Sequence, residues 1–181
     1  LVALARAKPG DLTYANTGIG DMTHLATEYF LDIAKIKMVG VPYKSTGAGM
    51  ADILSGQVPI IVGSLLPVVP HVKSGKLRAL GVTTQKRWYS LPDVPAIAET
   101  FPGFDVVLWF GLMAPKGTPQ PAIDRLNDAI NQILKMEDVK TSLDREGMQA
   151  TGGEPDAFGK RIRDDYARWV KLVKERNLII K

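Results

Sequence analysis

The chain is 181 residues long, with 45% hydrophobic residues, a net charge of +4 and no cysteine. This length allows one good core or two smaller lobes, and the lack of cysteine excludes disulfides, thiolate metal sites and a cysteine nucleophile. The 23 basic and 19 acidic residues are mixed along the chain, so there is no basic stripe for nucleic acid. Prolines interrupt the apolar run 58–72 before it reaches the roughly 20 residues of a membrane-spanning helix.

Strands and helices are predicted to alternate through the first half of the chain. Residues 1–8 are typical of a helix end, because Pro9 and Gly10 follow them. Alternating short apolar strands and amphipathic helices predict an α/β fold whose mostly parallel sheet has helices on both faces. The predicted strands are 12–16, 37–41, 58–62 and 77–83, and the predicted helices begin near Asp21, Met50 and Leu65.

The second half of the chain is predicted to be mainly helical. Prolines and Gly103 interrupt residues 84–103, which are interpreted as a crossover between lobes. An apolar strand is expected over 106–113. Thr118 is the expected N-cap of the next helix, with Pro119 as its first residue. A short helix over 139–145 and a last helix from Pro155 complete the chain.

Signatures of catalysis are missing from the sequence. The two histidines, His24 and His71, have no partner at metal-ligand spacing. Neither a nucleophile elbow nor a phosphate-binding loop is present, and Gly18 and Gly20 make only half of a dinucleotide motif, because Thr23 stands where the third glycine would be. We therefore expect no enzyme, no cofactor and no metal site.

Three strand-to-helix turns carry small polar residues. In a parallel sheet these turns meet at one edge, where helix N-termini present unpaired N–H groups and the positive ends of their dipoles. This convergence predicts a crevice for a small organic anion, although helix capping and ordinary turn chemistry also account for each residue alone. The candidate ligand-binding residues are Asn16, Thr17, Gly18, Gly20, Thr23, His24, Tyr43, Lys44, Ser45, Thr46, Gly47, Gly63 and Ser64.

Eight segments, in order along nearly the whole chain, resemble the Bug or TctC-like solute-binding receptors of tripartite tricarboxylate transporters. They lie at 15–25, 41–44, 52–58, 75–80, 82–84, 91–95, 102–104 and 114–119. The resemblance implies a fold of the periplasmic-binding-protein type II class. It further implies a periplasmic receptor that captures a di- or tricarboxylate, or a related organic acid, and delivers it to membrane permease subunits. Backbone N–H groups, hydroxyls and ordered waters would hold the ligand.

The chain departs from the family at two places. The family usually has Ser or Thr where this chain has Asp21, whose carboxylate would repel an anion if it pointed inward and would be harmless as an outward N-cap. The family's N-terminal lobe also has no counterpart ahead of Leu1. The resemblance therefore implies that 9–103 form the second, ligand-binding lobe, and that 104–181 form a crossover strand and the C-terminal helices that pack on the first lobe.

Two expectations follow from the incomplete match. Apolar faces of the C-terminal helices would lack their usual cover, which predicts a dimer or a domain-swapped assembly. A ligand-sensing module of the same fold, signalling to a partner protein, is the alternative to a transport receptor. An enzyme acting on a small acid is a third alternative, which the lack of a catalytic constellation disfavours.

Overall fold

The computed structural model describes residues 1–178, which form two units, Leu1–Leu108 with the chain from Lys171 onward, and Trp109–Val170. Within the described residues, every helix is too short or too polar to span a bilayer. The first unit contains α1 (Val2–Ala7), β1 (Thr13–Asn16), α2 (Met22–Ala34), β2 (Val39–Pro42), α3 (Met50–Leu54), β3 (Ile60–Ile61), α4 (Leu65–Lys73) and a 3₁₀ turn (Ile97–Glu99). The remaining helices are α5 (Gln120–Ile133), α6 (Glu137–Arg145) and α7 (Pro155–Glu175).

A three-stranded parallel sheet in the order β2-β1-β3 organises the first unit. The central strand β1 pairs through Tyr14 with Gly40 on one side and with Ile60 on the other. This arrangement confirms the predicted α/β class. Because all three strands are parallel, their carboxyl ends lie at the same edge of the sheet.

Helices cover both faces of this sheet, because side chains alternate along a strand. Tyr14 joins a buried cluster with Ala5 of α1 and Leu31 of α2, while its neighbour Ala15 packs with Ile53 of α3 on the opposite face. Aromatic residues from 101–104 add to the cover of α2. The Phe104 ring stacks on Tyr29 at 5.4 Å and the Phe101 ring lies edge-on to Phe30 at 5.8 Å.

A buried polar network ties the chain after α7 to α2 and β1. The Tyr14 hydroxyl donates to Glu28 Oε1 at 2.8 Å. Arg176 donates to Glu28 Oε2 through Nε at 3.0 Å and Nη2 at 2.7 Å. Burial, followed by the charge of Glu28, raises the pKa of Tyr14 far above its usual value. Glu28 is therefore ion-paired and hydrogen-bonded inside the unit.

The second unit is organised around Asp165 of α7. Its carboxylate accepts a hydrogen bond from Trp109 Nε1 at 2.7 Å and pairs with Arg161 at 2.8 Å and Arg168 at 3.1 Å. The Trp109 ring also lies edge-on to Phe158 at 5.1 Å. Burial raises the pKa of Asp165, but its hydrogen bonds and neighbouring cations lower it by more, so the group stays ionised.

Two predicted strands and one predicted cap are wrong. Residues 77–83 contribute only an isolated parallel bridge from Val82 to Ala96, and 106–113 form no strand. Val106 donates its amide to Thr83, but the following apolar residues find no neighbouring strand. Helix α5 begins at Gln120 with Pro119 as N-cap, and the Thr118 hydroxyl donates to the Pro115 carbonyl at 2.8 Å.

Candidate functional site

A narrow hollow lies where the carboxyl ends of β1, β2 and β3 meet. It encloses about 160 Å³ of space not filled by atoms, open solvent included. The structure brings five of the predicted site residues together in its wall, from the turns after β1 and β2, and β3 contributes its end. The lining residues are Ala15, Asn16, Thr17, Tyr43, Ser45, Thr46, Gly49, Ile61 and Val62.

Asp21 organises the turn between β1 and α2. Its Oδ1 accepts hydrogen bonds from the Thr17 hydroxyl at 2.6 Å, the Thr23 amide at 2.9 Å and the Thr23 hydroxyl at 3.2 Å. Partial burial raises the pKa of Asp21, but the hydrogen bonds from Thr17 and Thr23 lower it by more, so the pKa lies below its usual value. Of the two orientations considered for Asp21, the N-cap of α2 is the one formed.

Glycines and His24 complete the first turn. Gly18 and Gly20 have φ values of 134° and 85°, which are the left-handed region that glycine adopts without strain. The Gly18 amide donates to Asn16 Oδ1 at 3.0 Å and the Gly20 amide to His24 Nδ1 at 3.2 Å. His24 is buried, and the lone pair of its Nδ1 is used to hold the turn.

Tyr43 in the second turn is held by a residue that the sequence reasoning did not identify. Its hydroxyl donates to Asp52 Oδ2 of α3 at 2.7 Å, and this hydrogen bond raises the pKa of Tyr43. The ring also lies so close to Gly49 that a Cβ atom there would be 3.0 Å from it. Asp52 lies nine positions after Tyr43, and the only sequence signal for it was an acidic residue in the first turn of α3.

Thr46 links the second turn to the third. A Cβ atom on Gly63 would lie only 2.9 Å from Thr46 Cγ2, so the close approach of these turns requires a glycine. Thr46 is 9% exposed, and its hydroxyl makes no hydrogen bond within residues 1–178. Ser45 differs, because its Oγ accepts a hydrogen bond from the Ala48 amide at 3.2 Å.

The other predicted site residues lie outside the lining of the hollow. Ser64 is the N-cap residue of α4 but its side chain makes no capping hydrogen bond, and Lys44 is exposed. Across residues 1–178 no group of three or more His, Asp or Glu side chains is arranged to hold a metal ion. The residues outside the lining are Gly18, Gly20, Thr23, His24, Lys44, Gly47, Gly63 and Ser64.

Comparison with known proteins places these features in a family. Residues 1–178 match the family described as "Tripartite tricarboxylate transporter family receptor". A Pseudomonas protein described as "UPF0065 protein in tcbD-tcbE intergenic region" is 36% identical over 180 residues, which are 98% of this chain and 54% of that protein. The chain thus spans about half the length of the curated relatives that it matches.

Solved structures agree with the family match. The R. palustris protein Rpa4515, solved with adipate, has a TM-score of 0.79 at 32% identity, over 96% of this chain and 58% of that one. MatC from Rhodopseudomonas palustris, solved with bound malate, has a TM-score of 0.75 at 28% identity, over 95% and 60%. These matches confirm the resemblance and the fold class inferred from sequence. They also confirm the expectation of a receptor family rather than a family of enzymes.

Proposed function

Because the chain belongs to the tripartite tricarboxylate transporter receptor family, we propose that its hollow binds the carboxylate group of a small organic acid. The observation that carries this proposal is a pair of buried side chains with unused hydrogen-bond donors. Asn16 is 3% exposed and Thr46 is 9% exposed. Both line the hollow, where the Asn16 Nδ2 amide and the Thr46 hydroxyl have no protein acceptor within residues 1–178.

An acceptor from outside the protein satisfies these two donors. A buried polar group without a partner costs about 1–3 kcal/mol, and a carboxylate offers two oxygens with about four acceptor positions. Hydrogen bonds to an ionised group are also shorter and stronger than those between neutral groups. A carboxylate is therefore the ligand group that fits Asn16 and Thr46.

The surroundings of the two donors favour the same ligand. The N-terminus of α2, a helix of 13 residues, is on the same edge of the sheet and carries the positive end of a helix dipole. Two related receptor structures were solved with adipate and with malate, both of them dicarboxylates. Their chemistry supports an organic acid as the ligand.

The role of the whole protein follows from the family description. We propose that it is a receptor of the periplasm, which binds the acid outside the cytoplasm and delivers it to the permease subunits of a tripartite tricarboxylate transporter. The candidate residues outside the hollow wall, including Lys44 and Ser64, belong in this proposal to the outer part of the binding cleft, where they would meet the remainder of the ligand.

Calorimetric titration of the full-length protein with adipate and malate tests carboxylate binding. Asn16→Asp keeps the oxygen that accepts from Gly18 but replaces the donor with a charged acceptor, and we expect loss of measurable binding. Thr46→Val removes one hydroxyl, and we expect a loss of about tenfold, since one hydrogen bond contributes about 1.4 kcal/mol at most to such a difference.

Matched substitutions away from the hollow serve as controls. Asn127→Asp introduces the same charge change on α5, and Thr100→Val removes a hydroxyl from an exposed position of the first unit. Both controls should bind as the unchanged protein does. The proposal fails if neither acid binds, or if Asn16→Asp and its control bind equally well.

A further inference from the structure

Two hydroxyls that line the hollow have their protons engaged by carboxylates behind them. The Thr17 hydroxyl is 2.6 Å from Asp21 Oδ1, and the Tyr43 hydroxyl is 2.7 Å from Asp52 Oδ2. A hydroxyl has a single proton to donate, and an ionised carboxylate is an acceptor only. Thr17 and Tyr43 therefore present oxygen lone pairs, and not protons, to any further partner.

The direction of these hydrogen bonds is fixed by charge at neutral pH. The Asp21 carboxylate also accepts from the amide and the hydroxyl of Thr23, so this group of hydrogen bonds stabilises its ionised form. The Tyr43 phenol is protonated at neutral pH and donates to Asp52. Both hydroxyls are thus acceptors wherever they face the hollow.

The hollow wall consequently contains two kinds of polar group. Asn16 and Thr46 have unused donors, while Thr17 and Tyr43 have only acceptors to offer. A simple aliphatic dicarboxylate has no proton to give to the acceptors at neutral pH. It would leave them unpaired on binding, which is how a site built for a hydroxyl or amino group rejects an analogue that lacks one.

We propose that the ligand of this protein is a carboxylate that also carries a hydroxyl or amino donor, which binds the oxygens of Thr17 and Tyr43. This inference rests on the proposed function, because it assumes that the carboxylate occupies the donors of Asn16 and Thr46. The ligand class is then that of hydroxy acids and amino acids of small size. Asp21 and Asp52 act as positioning residues, since each holds the proton of its neighbour away from the ligand.

Calorimetric titration of the full-length protein with succinate, malate and aspartate tests the donor requirement. These acids share one carbon skeleton and differ in a hydrogen, a hydroxyl or an amino group. We expect malate or aspartate to bind at least about tenfold more tightly than succinate, which corresponds to about 1.4 kcal/mol. Equal affinity for all three would overturn this inference alone, and no binding by any of them would overturn the proposed function as well.

Substitutions identify the acceptors. Thr17→Val and Tyr43→Phe should each lower the preference for the substituted acid, with little change in the affinity for succinate, and Thr17→Ser should restore it. Thr100→Val and Tyr166→Phe, both at exposed positions, should keep the full preference. A preference that survives in both Thr17→Val and Tyr43→Phe would overturn the assignment, and because the ratio is measured within one variant, a general loss of stability does not imitate it.

Discussion

At the start of α2, one carboxylate oxygen of Asp21 accepts three hydrogen bonds. Removing such an N-cap by Asp21→Ala should lower the free energy of unfolding by about 1 kcal/mol, whereas Asp21→Asn, also a good N-cap, should cost less. The folded pKa of Asp21 lies below its usual value. Its ionic contribution is therefore complete above the unfolded pKa of about 3.9 and is lost as the pH falls through the folded pKa.

Urea unfolding at pH 7 and pH 3 measures this contribution. The unchanged protein should lose more stability between the two pH values than Asp21→Asn does, because the variant has no charge to lose at this position. Asp32→Asn, on the same helix but at its exposed end, should retain most of the pH dependence. An identical pH dependence in the unchanged protein and in Asp21→Asn would contradict the prediction.

The glycine at position 63 is required by its neighbour and not by its backbone conformation. A methyl group there would lie 2.9 Å from Thr46 Cγ2, so Gly63→Ala must displace Thr46 from the hollow wall. We expect a loss of stability of about 1–3 kcal/mol, as for other overpacked sites, together with weaker binding of malate. Thermal unfolding and calorimetry measure the two effects.

Gly159→Ala is the matched control for this substitution. Its added methyl group would meet only the Arg163 side chain at 3.4 Å, and alanine favours the helix interior by about 0.5–1 kcal/mol. This variant should therefore be as stable as the unchanged protein or more so. Equal stability of Gly63→Ala and Gly159→Ala would show that Thr46 moves aside without cost.

The sequence predicts which residues gather at the site better than it predicts what each can donate. Parallel strands followed by polar turns placed Asn16, Thr17, Tyr43, Ser45 and Thr46 at one edge, and all five line the hollow. Commitment of a hydroxyl proton depends on a partner atom within 3 Å. The capping pattern around Asp21 was visible in sequence, but the pairing across nine positions in the second turn required the folded chain.

At the scale of elements, the ion pair between Arg176 and Glu28 fastens the end of α7 to α2. Arg176→Met would leave the Glu28 carboxylate, whose side chain is 10% exposed, buried with only Tyr14 as a hydrogen-bond partner. Losing one partner of a buried pair costs about 3–5 kcal/mol. We expect a loss of this order in urea unfolding, and partial recovery when Glu28→Gln neutralises the carboxylate in the same chain.

An exposed ion pair provides the comparison. Arg87 pairs with Glu99 through two hydrogen bonds, of 2.8 and 2.9 Å, yet both side chains are more than two-fifths exposed. Arg87→Met should cost no more than about 1 kcal/mol. If Arg176→Met costs no more than Arg87→Met, the buried network is not what holds the end of α7.

Elements whose formation depends on distant partners were the ones that sequence reasoning missed. The helix beginning at Asp21 was predicted correctly because its cap and its 3.6-residue period are local. Residues 77–83 and 106–113 are equally apolar, but a strand exists only when a neighbour offers its backbone groups. The apolar pattern contains no information about that neighbour, and the structure gives only the bridge from Val82 to Ala96.

At the scale of the whole molecule, the unit Trp109–Val170 has exposed apolar side chains and little core of its own. Within this fully described range, Asp165 is the only buried residue, and no apolar side chain is buried. Phe110, Leu112 and Met113 are 75%, 78% and 70% exposed. Contiguous apolar surface of this kind is typical of an interface. We therefore predict that the 181-residue chain, expressed alone, forms a dimer or a domain-swapped assembly.

Light scattering and sedimentation over a range of concentrations measure this association. Replacing Phe110 and Leu112 together by serine should shift the chain toward monomer, because burial of about 25 cal/mol per Å² of apolar surface is lost at the interface. Leu66 and Leu80 are also exposed, at 50% and 54%, but belong to the first unit. Their joint replacement by serine should leave the assembly intact, whereas a monodisperse monomer of the unchanged chain at tens of micromolar would contradict the prediction.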